Sequence, residues 1–273
     1  MNCTYRTVAF LVVVIAAFAP ALYSQSPAAD ELNLGVQVYK RARYEEAIQH
    51  FEKAATLAPE NGVAHMYLAT AYAQQYIPGE DTPENARFAE RAIEQYQRVL
   101  DSDVTPTAKI NGTKGIASLY LNMKKFEDAK KYNQMASDLD PKDPEPHFSI
   151  GVIDWTQCYQ PRMEERAKLG VEPEENLNPG VKEQKQICDE LKAKNMSTIE
   201  EGIDNLKKAI QLRPDYDDAM AYLNLMYREK ADLECDDLAA RQQDLKTADH
   251  WVDKTLAVKK VKAEKDAPPA AKQ

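Results

Sequence analysis

The chain has 273 residues, 44% of them hydrophobic, so it can bury a substantial core; only nine are glycine, and Ala, Glu, Lys, Leu and Tyr abound, which favours helix over sheet. No run of alternating β-branched residues is long enough to suggest a strand system. A formal net charge of -9 argues against a nucleic-acid partner, because binding a polyphosphate takes surplus Lys and Arg.

The first stretch reads as a leader. Met1 to Arg6 carries one positive side chain, Val8 to Ala17 is apolar, and Ala19-Pro20-Ala21 offers a small-x-small cleavage site, with Ser24 as a second. That is the plan of a secretory signal peptide, assigned here to 1–24. The apolar run falls short of the roughly 20 residues a transmembrane helix needs. Export to a periplasmic or secreted location is expected, with no stable transmembrane anchor after cleavage; an uncleaved segment tethering the protein to a membrane is the alternative.

Two helices follow. Gly35 and Ala47 lie twelve apart, a step that crosses from one helix to the next, while Ala47, Phe51 and Ala54 share one face of the second helix. Ala47 and Ala54 let a neighbouring backbone come close, Phe51 fills the gap between layers, and Gly35 puts nothing in the way. Pro59 ends the helix by lacking an N–H and by pushing Ala58 out of helical geometry. The set Leu34, Gly35, Tyr44, Ala47, Phe51, Ala54 and Pro59 resembles the tetratricopeptide repeat, a 34-residue helix-turn-helix module. The resemblance implies an all-α, right-handed superhelical solenoid that acts as a protein-interaction scaffold rather than an enzyme.

The alanine of the second helix serves as a ruler. Ala47 is followed by Ala92, Ala129, Gly202 and Ala248, at steps of 45, 37, 73 and 46 residues, which exceed the 34-residue unit by 11, 3, 39 and 12. The same neighbours return around each: Ala69 and Tyr72 before Ala92 and Tyr96, Ala117 and Tyr120 before Ala129, Gly151 before Gly202 and Leu206. About five repeats result, over 28–61, 62–106, 110–143, 144–216 and 217–258 within a solenoid at 28–258. Three departures stand out. Asn133 replaces the aromatic of the third repeat, with Tyr132 beside it as a candidate substitute; Asp154 stands where Tyr72, Tyr120 and Tyr227 stand elsewhere; and the fifth repeat has Asn224 at the small position and Thr255 for Ala, as a capping repeat would.

The surplus residues fall between the first and second helices of their repeats, at about 76–86, 158–196 and 230–241, so they collect on one edge of a stacked solenoid. Within 158–196, Pro161 to Lys168 reads as a short helix, 169–178 as a Pro- and Glu-rich turn, and Pro179 as the start of a second helix with Ile187 and Leu191 on its apolar side. Residues 259–273 are charged, contain Pro268-Pro269 and read as a disordered tail. Cys158, Cys188 and Cys235 all fall in the insertions. In an oxidising compartment Cys158 with Cys188 is the first choice of disulfide; Cys188 with Cys235 would instead tie two insertions together.

No metal or cofactor is expected: neither CxxC nor HxxxH spacing occurs, and no GxSxG, phosphate-cradling glycine loop or zinc-protease motif is present. His65 and His147 hold the same place in their repeats and read as packing residues. In tetratricopeptide proteins the second, fifth, ninth and twelfth places of the first helix line the concave groove. Carried onto this chain, they include Leu32, Val36, Tyr39, Met66, Thr70, Asn111, Lys114, Ser118, Phe148, Val152, Trp155, Leu225 and Arg228. The family's carboxylate clamp needs Lys and Asn where Leu32 and Val36 stand, so it is absent. The apolar and aromatic anchors suit a peptide or protein segment of extended or helical form. The alternative is a small-ligand carrier with a pocket beneath the long insertion, lined by Phe148, Trp155 and Tyr159.

Overall fold

The computed structural model describes residues 26–172, 175 and 177–266; the expected signal peptide at 1–24 lies outside them. Among the described residues there is no strand, and the helices are α1 (Pro27–Tyr39), α2 (Tyr44–Leu57), α3 (Gly62–Gln75), α4 (Pro83–Asp101), α5 (Pro106–Asn122), α6 (Phe126–Leu139), α7 (Glu145–Lys168), α8 (Lys182–Leu212), α9 (Asp217–Asp232) and α10 (Leu238–Asp266). They pack as five successive pairs, each pair against the next, which is the all-α solenoid expected. No described helix is long and apolar enough to cross a membrane.

Local chemistry sets the helix ends. Ser26, Asn61, Thr82 and Thr105 each place a side-chain oxygen on a first-turn backbone N–H, and three of these caps are followed by a proline whose missing N–H costs nothing there. Ala58 and Asp140 leave helical geometry ahead of Pro59 and Pro141. The short turns α1–α2 and α5–α6 each pass through one left-handed residue, Ala42 and Lys124.

The layers lock by seating large side chains on residues that have none. A Cβ on Gly35 would collide with the Phe51 ring, one on Gly115 with Tyr96, and one on Gly151 with Leu206. The ruler alanines Ala47, Ala92, Ala129 and Ala248 are fully buried, as are Phe51, Ala54, Ala69 and Leu206; Tyr72, Tyr96 and Gly202 are buried too, and Tyr120 half-buried. One core cluster runs from Val38 to Leu119, a second from Cys158 to Leu233.

Three expectations change. The segment 158–196 is not a separate hairpin: α7 continues through Pro161 to Lys168, and α8 runs 31 residues from Lys182, so the repeat's own two helices are lengthened. Residues 259–266, expected in the disordered tail, continue α10, with Lys262 paired to Asp217; 267–273 lie outside the described residues. The disulfide joins Cys188 to Cys235, and Cys158 is a free, buried thiol. The lengthened helices explain the pairing. Cys158 Sγ faces the Asn195 carbonyl across the α7/α8 pair, which puts Cys188 about 10 Å further along α8, beyond disulfide reach. Cys188 instead points at the α9–α10 turn, beside the Leu233 carbonyl.

Peptide mapping without reduction should recover a Cys188–Cys235 cross-link and an unpaired Cys158. Cys188→Ser should lower unfolding stability by up to about 4 kcal/mol, the chain-entropy value for a 47-residue separation. Recovery of a Cys158–Cys188 peptide would refute the assignment.

Candidate functional site

The residues expected along the groove fall into three sets. Leu32, Val36, Tyr39 and Met66, on α1 and α3, are half-buried and rest on the first core cluster. Tyr39 sits edge-on to Tyr44, and Thr70, bonded to the Met66 carbonyl at 2.8 Å, lies 3.4 Å from the Tyr96 hydroxyl. On α5, Asn111 and Ser118 are exposed, and Lys114 is ion-paired to Asp143. On α7 and α9, Phe148, Val152, Trp155 and Leu225 are half-buried, while exposed Arg228 bonds Asn224 and Asp249 at 2.9 and 2.7 Å.

The aromatics of the third set pack on one another rather than around a pocket. Phe148 lies 4.9 Å from Tyr216 and 5.7 Å from Tyr222; Trp155 stacks on Tyr159 at 4.8 Å and meets Tyr222 edge-on at 5.5 Å. Such rings tie α7 to α9. A cavity of about 750 Å³ does lie beside the lengthened pair, but Gln157, Pro161, Lys194 and Asn195 are among its walls and none of these rings is. His65 and His147 pack as expected: the first sits between Gln95 Oε1 and the Pro59 carbonyl, the second between Ser137 and Asn205.

Two ionic clusters escaped the sequence reading. Arg162 on α7 grips Glu229 through two bonds of 2.7 and 2.8 Å and reaches Asp232 at 2.8 Å, all in the lengthened part of the molecule. Burial pushes the Glu229 carboxyl up, although Arg162 opposes the shift. Sixty-seven residues separate this pair, and no local pattern links them. The second cluster had a visible sign, a carboxylate in a tyrosine's place. Asp154 is wholly buried, its Cβ standing with Met226 Cε where a Gly202 side chain would go, and Lys130 reaches it at 2.8 Å while also holding Glu201 at 2.7 Å. Burial raises Asp154 to about 6 despite Lys130. Cys158 close by is pushed up to about 12 by burial, so it stays an inert thiol at neutral pH. Among the described residues, no group of three or more His, Cys, Asp or Glu is placed to hold a metal.

The tetratricopeptide repeat model matches residues 39–61. A crystal structure of MamA superposes over 88% of this chain and 96% of its own, at 14% identity and a TM-score of 0.56. A MamA from Desulfovibrio magneticus RS-1 superposes over 89% and 99%, at 15% identity and 0.55. The fold is a tetratricopeptide-repeat solenoid. YrrB, described as a TPR protein with an unusual peptide-binding site, superposes over 85% of this chain and 86% of its own, at 13% identity and 0.51. Among curated proteins none matches the chain.

Asp154 gives a pH test. In the unfolded chain it releases its proton near the ordinary 3.8, and in the fold near 6, so the native state holds the proton more tightly and loses stability as pH rises between those values. Asp154→Asn is free of this loss. Its stability relative to the parent should rise by about 2–3 kcal/mol from pH 4 to pH 7 in urea titrations. Lys130→Met, which leaves the carboxylate buried and alone, should cost about 3 kcal/mol at pH 7 and less at pH 5. A pH-independent difference in both variants would refute the assignment.

Proposed function

We propose that this protein is an exported interaction scaffold that holds a peptide or protein segment in a groove formed by the first helices of its repeats. The observation that carries the reading is the row Leu32, Val36, Tyr39 and Met66. These side chains rest on the buried core yet keep part of their apolar surface in solvent. Anchors of this kind gain most when a partner completes their burial. The peptide-binding site of YrrB, in a molecule of like fold, is consistent with it. So is the use of the perturbed carboxylates: Asp154 is committed to Lys130 and Glu229 to Arg162, which leaves them structural work rather than proton transfer. The leader at 1–24 supports placement in the cell envelope or the secreted space, where a disulfide such as Cys188–Cys235 persists.

Affinity capture from an envelope extract should recover a stoichiometric protein partner that Leu32→Asp or Tyr39→Ala loses while the helical content is kept. Retention of every partner by both variants, with a small molecule raising the melting temperature instead, would favour the carrier reading. Mass measurement of the exported chain should give a mature form lacking the leader; a full-length exported product would point to the tethered alternative.

A further inference from the structure

At three of the four boundaries between repeats, a large side chain on the second helix of one repeat packs against the first helix of the next. At the first boundary Phe51 stacks on Tyr67 at 5.4 Å. At the second, Tyr96 fills the space over Gly115. At the fourth, Leu206 and Tyr222 belong to one packed cluster. The third boundary has neither a large wedge nor a large facing residue: Asn133 stands opposite Ser149. Two small polar side chains cannot fill a space built for an aromatic. A cavity of about 170 Å³ is left, lined by Ala117, Ser118, Leu121, Asn133, Pro146 and Ser149, with Lys114 and Glu145 at its edge.

The chemistry of this notch narrows its occupant. A cavity of about 150 Å³ accepts one benzene-sized ring. The Asn133 amide is fixed in orientation because its Nδ2 donates to the Ala129 carbonyl at 2.9 Å. The Oδ1 atom of this residue accepts no hydrogen bond from a described residue and is open to solvent. It can accept from a donor that enters the notch. The edge is electrically neutral: Lys114 is paired with Asp143, and Glu145 is held by Arg213 at 2.8 Å and by the Tyr216 hydroxyl at 2.7 Å. A charged side chain would find no free counter-charge there. A ring that ends in a hydroxyl fits both the volume and the acceptor.

We infer that the notch between the third and fourth repeats is a side-chain socket for a tyrosine of the partner segment, whose ring replaces the missing aromatic wedge and whose hydroxyl donates to Asn133 Oδ1. This rests on the groove reading, since Lys114 and Ser118 belong to that face. It adds a specificity element that the apolar anchors of α1 and α3 do not supply.

The test uses the full chain, isotope-labelled, titrated with N-acetyl-tyrosinamide, N-acetyl-phenylalaninamide and N-acetyl-alaninamide. The tyrosine probe should shift the backbone amides of Ser118, Asn133 and Ser149, the phenylalanine probe should need about fivefold more ligand for the same shift, and the alanine probe should give none. Asn133→Phe, which rebuilds the wedge, should abolish the response with no fall in melting temperature. Should that variant misfold, Ser118→Trp at the exposed edge should abolish it as well. Silence of the three amides, or an undiminished response in the blocked variant that folds, overturns the socket. Shifts confined to Val36 and Met66 also overturn it, yet leave the groove standing; capture of a partner sensitive to Leu32→Asp judges that reading separately.

Discussion

The whole solenoid depends on one kind of contact: a large side chain seated on a residue without one. Phe51 over Gly35, Tyr96 over Gly115 and Leu206 over Gly151 set how closely the helices approach. A glycine inside a helix costs roughly 0.5–1 kcal/mol against alanine, and burying a large apolar side chain returns about 1.5–3 kcal/mol. Because the contact recurs in successive layers, its geometry propagates along the stack. The binding face proposed for the protein is in this sense a by-product of interlayer packing.

Where the contact is altered, the molecule gains something particular to it. Asn133 withholds the wedge and leaves a notch. One repeat further on, Asp154 replaces a tyrosine and needs Lys130 from the neighbouring repeat to be tolerated at all. A buried pair of this sort adds little net stability, because desolvating two charges nearly cancels their attraction, but a wrong neighbour would strand the carboxylate. The third and fourth repeats are thereby fixed to each other by a polar device, where other boundaries use aromatic bulk.

The carboxyl-terminal half solves a different problem. The lengthened α7 and α8 take added support from the repeat that follows. The end of α9 holds them through the Arg162–Glu229–Asp232 cluster, and the α9–α10 turn through the Cys188–Cys235 bond. Val171 and Leu177 close a small apolar cluster around that disulfide. The surplus residues of the fourth and fifth repeats are thus tied into one structure.

The sequence by itself determined the five helical pairs, the punctuation by Pro59 and Pro141 and the packing residues around Ala47 and its successors, because those signals are local and repeat with the period of the structure. It also marked Asn133 and Asp154 as departures. Only the tertiary structure decided what the departures do. Helix continuation through Pro161 was invisible because a proline's effect depends on whether neighbouring helices hold the chain in register. The partner of Cys188 was invisible because it depends on how far along α8 that residue lies, a distance settled only once the two long helices are in place. Arg162 finds Glu229, and Lys130 finds Asp154, across separations that carry no periodic signal: a buried charge takes its partner from whatever the fold brings alongside, and proximity in space is the one property the order of residues does not contain.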